Sequence, residues 1–398
     1  MITWVSDNII SSLGFTTDEN YRKVKQGISG LRLYTDTFDL AEPFVASMID
    51  DSIVGAGFKP AQMDRAVERA GLKPAPTTIT TTTYTKLEKA AILSVAEALK
   101  HTDINPADEH VIFVLSTTKG NVFMLESAQN EGYEPEQLFL WRSAELIAGY
   151  FGNKNMPLII SNACISGAYA LISAQRALES RKYKVAIVIG VDMLSRFIVS
   201  GFQSFKALSQ SPCRPFDAKR DGLNVGEVAA TIIVTQKEES DLQPGDIVLT
   251  CGAVRNDANH ISGPSRTGEG AYLALRQVCS GINTDELAFI TAHGTATPYN
   301  DEMEAIAITR ASLQNVPVNT LKGYFGHTLG GAGVLESIIS TRSLKDRTIL
   351  KTHGFEAMGV SHPLQIVTQT QPTTRNRCIN MLSGFGGCNA ALLYTFIE

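Results

Sequence analysis

Residues 157–178 read PLIISNACISGAYALISAQRAL, and the order of residue types in this stretch decides the architecture. Leu158-Ile159-Ile160 is a short apolar run with two β-branched residues, which predicts a buried strand. Ala168 to Leu178 is rich in small residues and predicts a helix. A strand that turns directly into a helix is the unit from which α/β sheet proteins are built. The turn carries one cysteine, Cys164, followed by Ser166 and Gly167. At a helix N-terminus the free N–H groups and the macrodipole favour negative charge. A thiol there ionises more readily, and the thiolate is the nucleophile. The position equally suits a cysteine kept for packing, because free cysteine is among the most buried residue types.

At 398 residues the chain is long enough for two domains or one large duplicated one. Hydrophobic content of 44% and charged content of 19% are those of a globular protein. A net charge of −5, with no lysine and arginine cluster, argues against nucleic acid as the main partner. The N-terminus, MITWVSDNIISSLG, lacks a basic segment followed by a long apolar run, so no signal peptide is expected. No stretch approaches the roughly 20 apolar residues of a membrane span. The six cysteines (164, 213, 251, 279, 378 and 388) are scattered and form no CxxC pair. This predicts a reducing, cytoplasmic setting with neither a disulfide framework nor a metal site.

The same alternation runs along the chain. Strands are predicted over Met1–Gly14, Val111–Leu115, Val185–Gly190 and Ala229–Val234. Helices are predicted over Glu19–Gln26, Leu87–Leu99 and the stretch ending at Tyr150. The Pro/Thr-rich run 73–83 reads as a surface loop, and so does the Arg/Asp/Gly-rich segment Ser211–Glu227. The polar turn Glu238–Gly245 is the expected junction between two halves, 1–240 and 241–398. Beyond it come strands at Ile247–Cys251, Leu287–Ala292, Val316–Leu321, Ile379–Leu382 and Ala390–Phe396. Helices are expected at Gly270–Val278, Asp301–Ala311 and Gly331–Leu344. Such alternation implies mostly parallel sheets covered on both faces. An internal echo, CISGAYALISA (164–174) over TLGGAGVLESI (328–338), pairs Gly167 with Gly331 and Leu171 with Leu335. A duplication would bring two such helices together, and close packing would need small residues where they meet.

Three further stretches offer chemistry. In ITAHGTATPYNDEMEA (290–305), His293 follows a buried strand at its carboxyl end, where ligands of open α/β sheets gather. In LKGYFGHTLGGAGVLES (321–337), Lys322 and His327 flank a glycine turn before a Gly/Ala helix. In MLSGFGGCNAALLY (381–394), a Gly-Phe-Gly-Gly turn between strands can aim backbone N–H groups at a bound oxygen. Taken singly, each also suits a structural histidine, close helix packing or an ordinary turn.

Taken together and in this order, NACISGA, RPFDAKRDGLNVGE (214–227), AHGTATPYND (292–301), LKGYFGHTLGGAG (321–333) and GFGGCNA (384–390) resemble the β-ketoacyl-acyl carrier protein synthases of the thiolase superfamily. The resemblance covers the last two-thirds of the chain; the first 110 or so residues match less clearly. It implies a thiolase-like duplicated five-layered αβαβα fold with mixed sheets. It also implies decarboxylative condensation of an acyl thioester with malonyl-acyl carrier protein, in fatty acid, polyketide or polyene elongation. By the same resemblance Cys164 takes the acyl chain, and His293 and His327 promote loss of CO₂ and hold the enolate. Lys322 belongs to the same catalytic set, chiefly as a structural ion-pair partner for a carboxylate such as Glu336. The backbone N–H groups of Cys164 and Phe385 form the oxyanion hole, with Phe385 also the gating aromatic. Thr295 and Thr297 hold the pantetheine arm, while Ile165 and Phe202 meet the substrate. The implied partners are an acyl carrier protein and a second chain, as homodimer or as heterodimer with a related ketosynthase-like chain. No dissociable cofactor is implied, since the phosphopantetheine belongs to the carrier protein.

His327 marks the elongating type, because priming synthases that use acyl-CoA carry asparagine in the comparable role. Intact Cys164 separates the chain from chain-length-factor partners. The departures are Ile165, bulkier than the residue common there, and Ser383, where many relatives carry a second aromatic. Two other readings share the fold. One is a non-decarboxylative thiolase, whose second cysteine would be Cys388; the other is a weakly active partner subunit. Lys206, Arg214, Lys219 and Arg220 are the candidate basic contacts for an acidic carrier protein.

Overall fold

Strand and helix alternate as the apolar pattern predicts, and in the computed structural model, which describes residues 1–54, 83–126 and 132–398, they do so twice. The first half supplies β1 (Ile2–Ile10), β2 (Val111–Ser116), β3 (Leu158–Ile160), β4 (Val185–Asp192) and β5 (Val228–Gln236). They lie in the order β3-β2-β4-β5-β1. β2 runs parallel to β3 and β4, and β5 runs antiparallel to β4 and β1. The second half supplies β6 (Ile247–Asn256), β7 (Leu287–Thr291), β8 (Pro317–Asn319), the two-residue β9 (Gln365–Ile366), β10 (Arg377–Gly384) and β11 (Cys388–Phe396). With β9 set aside, their order is β8-β7-β10-β11-β6. Their directions repeat those of the first half strand for strand. The chain is therefore an internal duplication. The two sheets meet where β1 touches β6, Ile2 opposite Leu249 and Thr3 opposite Val248.

Five layers result. Helix α1 (Lys86–Leu99) covers the outer face of the first sheet, entered through a capping box of Thr85 and Glu88. Helices α2 (Ser166–Glu179) and α6 (Ala332–Lys345) fill the space between the sheets. Helix α3 (Arg196–Ser204) follows β4 and packs beside the turn 122–125. Helices α4 (Glu269–Val278) and α5 (Pro298–Arg310) cover the second sheet. The central layer forms one apolar core with residues of both halves, including Leu171, Val188, Leu335, Ile338 and Leu392.

The central helices touch through backbone. A methyl group on Gly167 would lie 2.7 Å from the Val334 nitrogen, and one on Gly333 would lie 2.2 Å from the Ala168 nitrogen. Small residues are thus required at the crossing, as the duplication implied. The register differs from the echo read in the sequence, however. Each central helix is 14 residues long, beginning at Ser166 and at Ala332. Each is preceded by a left-handed residue, Ala163 (φ 46°) and Leu329 (φ 52°). The structural counterpart of Gly167 is therefore Gly333, not Gly331. Three glycines in TLGGAG let a sequence match slide by two residues at no loss.

The strand predicted at Leu158–Ile160 forms, but β3 ends the sheet order, pairs only with β2, and leaves Leu158 37% exposed. A three-residue apolar run does not distinguish a central strand from an edge. The strand predicted over Val316–Leu321 shortens to Pro317–Asn319. Of the loop 73–83, all but Thr83 lies outside the described residues.

Candidate active site

The Cys164 elbow is built by its neighbours. The Ser166 hydroxyl accepts the Asn162 N–H at 2.7 Å and donates to the Ala163 carbonyl at 2.6 Å, closing a tight loop at the mouth of α2. Left-handed backbone at an alanine costs of order 1 kcal/mol or more. The elbow also places the sulfur inside the protein rather than at the surface. Burial pushes the Cys164 thiol up to about 11, while Lys119, Lys322 and the Phe385 backbone N–H pull it the other way. The sequence reading expected a readily ionised thiol; in the folded protein desolvation outweighs those favourable charges.

His293 follows β7, and α5 clamps it. The Glu304 carboxylate accepts the N–H groups of His293 and Gly294, both at 2.7 Å, and Asp301 accepts that of Ala296 at 3.1 Å. Asp301 also accepts the Phe216 N–H at 2.6 Å, which ties the RPFDAKRDG loop to the same point. Burial pushes Asp301 up to about 6 and, with the Asp301 charge added, Glu304 to about 8. His327 is held by main chain: its N–H donates to the Asn224 carbonyl, and its carbonyl accepts the Gly226 N–H. The following turn is fixed by Asp192, which accepts the N–H groups of Gly330 (2.7 Å) and Thr118 (2.9 Å).

These placements bring Cys164, His293 and His327 together, with one donor atom from each within 4.8 Å of the others. The two rings stand nearly perpendicular, 88°, with centroids 4.9 Å apart. Their partners fix their protons. The Leu329 N–H donates to His327 Nδ1 at 3.3 Å, and Lys322 Nζ lies 3.3 Å from His293 Nδ1. With Nδ1 accepting in both rings, each proton sits on Nε2. His327 Nε2 is buried with no protein partner. Burial first, and then the Lys322 charge, holds both histidines well below the usual imidazole range, so both are neutral. The spacing alone would suit a tetrahedral metal site. A metal ligand, however, needs a bare Nε2 and an acceptor behind Nδ1, whereas here both Nδ1 atoms face donors. The site presents N–H groups and therefore suits an anion.

Lys322 is fully buried, ion-paired with Glu336, and touches His293 only from behind. A cavity of about 530 Å³ opens onto Cys164, His293 and His327 and is also lined by Thr295, Thr297, Phe202 and Phe385. The Thr295 and Thr297 hydroxyls are 2.9 Å apart. Ile165 is the exception: it does not line the cavity but is fully buried in the central core, because the turn that points Cys164 into the cavity sends its neighbour into the core. Ser383 lines the cavity, with its hydroxyl donating to Asn389. Of the basic candidates, Lys206 stands exposed at the cavity mouth and Lys219 is exposed. Arg214 pairs with Glu356, and Arg220 is spent on the carbonyls of Asp217 and Gly359.

Several supporting residues escaped the sequence reading. Asp301 and Glu304 carried a signal, since acids in the first turns of a helix that follows a histidine loop accept that loop's N–H groups. Asp192 acts across a long sequence separation and carried none.

Comparisons with known proteins bear on family and fold. Residues 20–240 match the family described as beta-ketoacyl synthase, N-terminal domain, and residues 247–356 match beta-ketoacyl synthase, C-terminal domain. A protein named as a mitochondrial 3-oxoacyl-[acyl-carrier-protein] synthase in Schizosaccharomyces pombe is 27% identical over 347 residues, 78% of this chain and 81% of that one. The 3-oxoacyl-[acyl-carrier-protein] synthase 2 of Rhizobium meliloti is 32% identical over 254 residues, 59% of each chain. Among solved structures, a chain of the ketosynthase–chain length factor complex ApeO–ApeC from Xenorhabdus doucetiae superposes with a TM-score of 0.85. It is 24% identical, over 99% of this chain and 98% of that one. A beta-ketoacyl synthase from Burkholderia phymatum STM815 gives 0.81 at 23% identity, over 100% of this chain and 99% of that one.

Proposed function

The chain belongs to the β-ketoacyl synthase family, and from that premise we propose that it elongates acyl chains by decarboxylative condensation with malonyl-acyl carrier protein, using Cys164, His293 and His327. The observation that carries the reading is the meeting of one thiol with two neutral imidazoles that both offer Nε2–H.

In the first half-reaction the Cys164 sulfur bonds to the acyl carbon and the pantetheine sulfur departs with the thiol proton. The carbonyl oxygen of the intermediate is held by the backbone N–H groups of Cys164 and Phe385. In the second, the bond between the malonyl carboxylate and its methylene breaks, CO₂ leaves, and the electron pair passes to the thioester oxygen as an enolate. His293 and His327 donate to that oxygen from Nε2; neutral donors suit this because they gain on the charge that develops. The enolate carbon then bonds to the acyl carbon, the bond from that carbon to the Cys164 sulfur breaks, and the released thiolate takes a solvent proton. Lys322 is a positioning residue: it fixes the His293 tautomer. Thr295 and Thr297 place two hydroxyls where the pantetheine arm would pass.

The thiolase reading is not favoured. The Cys388 thiol is buried, donates to the Phe385 carbonyl at 3.3 Å, and is pushed up to about 12, first by burial, so it is a poor base at neutral pH. No helix among the described residues is long and apolar enough to cross a membrane. A cytoplasmic setting is part of the proposal, supported by six free thiols. So is pairing with a second chain of the same fold along the open edge of β3, identical or related.

Intact-mass analysis tests the function. With an acyl-carrier protein the parent gains the acyl mass, and Cys164→Ala does not. Adding malonyl-carrier protein removes the adduct and yields a product two carbons longer. An adduct on Cys164→Ala would overturn the assignment of the nucleophile.

A further inference from the structure

Phe385 is held from two sides by the end of one helix. Its ring centroid lies 6.0 Å from that of Phe202 and 5.7 Å from that of Phe205, the latter edge-on at 76°. The two partners are three residues apart and so share a helix face. The helix end is tightly closed, with Lys206 left-handed (φ 53°) and the Ala207 N–H returning to the Phe202 carbonyl at 3.1 Å. Phe202 is buried in the cavity wall, whereas Phe205 is 60% exposed and Phe385 40%. Phe205 thus covers Phe385 from the solvent side.

The turn that carries Phe385 is anchored through its backbone and leaves open space at its tip. Gly386 and Gly387 are both left-handed (φ 84° and 73°), and a methyl group on Gly386 would meet nothing within 4 Å. Five polar contacts anchor the turn's backbone: the Gly386 N–H donates to the Ile261 carbonyl (2.7 Å), Asn256 Nδ2 to the Gly386 carbonyl (2.8 Å), the Asp257 N–H and Asn389 Nδ2 to the Gly387 carbonyl (2.9 and 3.0 Å), and the Cys388 thiol to the Phe385 carbonyl (3.3 Å). The near side reaches the reacting sulfur. The Phe385 N–H favours the Cys164 thiolate, and a methyl group on Gly384 would lie 3.0 Å from the Cys164 nitrogen.

We infer that Phe205 is a latch that holds the Phe385 turn closed over Cys164. It is a positioning residue acting through Phe385, and it supplies from just past the end of α3 the second gate ring that Ser383 lacks. Closed, the turn shields the sulfur and keeps the Phe385 N–H in place for the oxyanion. Open, it uncovers the sulfur to the pantetheine arm and to water and withdraws that N–H. Admission and catalysis are then alternative states of one turn. The chemistry rests on the condensation reading above; the latch itself is tested without it.

The test is the rate at which iodoacetamide alkylates Cys164, followed by peptide mass, with half-buried Cys251 in the same sample as a clock for general loosening. Phe205→Ala is expected to raise the Cys164 rate about three- to tenfold, the range an edge-to-face aromatic contact supports, with Cys251 unchanged. Phe205→Tyr, which keeps the ring, is expected to retain the parent rate. In acyl-loaded protein Phe205→Ala is expected to shift the partition from condensation towards hydrolysis. The latch is overturned if Phe205→Ala alkylates Cys164 at the parent rate, or if Phe205→Tyr is as fast as Phe205→Ala. Should Cys251 accelerate in the alanine variant, Phe205→Leu is read by the same criteria. If the parent forms no acyl adduct, the condensation reading fails while the alkylation rates still decide the latch.

Discussion

The Leu329 backbone donates its N–H to Nδ1 of His327 at 3.3 Å, and this contact makes the ring a donor towards the cavity. Leu329 is itself left-handed, at the turn that begins α6. The fold's duplication therefore reaches the chemistry. The same strained position that in the first half sets up Cys164, Ala163, in the second half sets the tautomer of a histidine. A ring locked as an Nε2–H donor cannot take the Cys164 proton, which assigns His327 to the enolate rather than to activation of the thiol.

His327→Ala should therefore separate the two half-reactions. Condensation is expected to fall on the order of 100-fold or more, as for loss of one oxyanion donor, while acyl loading of Cys164 changes little. Single-turnover mass measurements read both. An equal loss in both steps would show that His327 acts on the thiol.

Lys322→Met should be costly for a different reason. It leaves Glu336 buried without its cation, and breaking such a pair costs about 3–5 kcal/mol. The double variant Lys322→Met, Glu336→Gln removes both charges and is expected to regain most of the melting temperature. It should not regain turnover, because His293 Nδ1 has lost the donor that fixes its tautomer. Recovery of full turnover in the double variant would make Lys322 purely structural.

Stability should fall as pH rises from about 6.5 to 8. Glu304 stands at about 8 in the folded protein against 4.5 for a free glutamate, so over this window the folded state holds more protons than the unfolded one. The loss is at most about 2 kcal/mol. The histidines have the opposite sign. Neutral when folded, they bind protons on unfolding below about 6.5, so they oppose Glu304 only on the acid side. Denaturant melts at pH 6.5 and 8 check the slope, which Glu304→Gln should flatten. An unchanged slope in that variant would place the titration elsewhere.

The sequence disclosed the site better than its supports. Cys164, His293 and Phe385 stand just past strand ends and His327 follows a glycine turn, each beside glycine or small residues, and such local punctuation survives in a one-dimensional reading. The halves were visible through alternation and through CISGAYALISA over TLGGAGVLESI. Their true register was not, because it is set by Gly167 meeting Gly333 across the molecule. Ile165 was misplaced for a related reason. Which way a residue beside the elbow points depends on the backbone turn at Ala163, which the residue types do not encode. The edge position of β3 and the reach of Phe205 to Phe385 likewise arise only when distant segments pack.

Two glycine substitutions should then act in opposite directions. Gly167→Ala places a methyl group 2.7 Å from the Val334 nitrogen and 2.9 Å from Gly333 Cα. Both neighbours are backbone of the opposing central helix, so neither can rotate away, and the two helices must separate. Overpacking of a tight core typically costs 1–3 kcal/mol. Here the strain falls at the crossing that positions both Cys164 and the His327 turn, so activity should drop along with stability. Gly201→Ala lies within α3, where an added methyl group meets nothing within 4 Å. A helical glycine costs about 1 kcal/mol relative to alanine, so this variant should melt higher than the parent. Thermal melts of the two proteins side by side decide the matter. A stable, active Gly167→Ala would mean that the central helices tolerate separation and that the crossing is not what fixes the site.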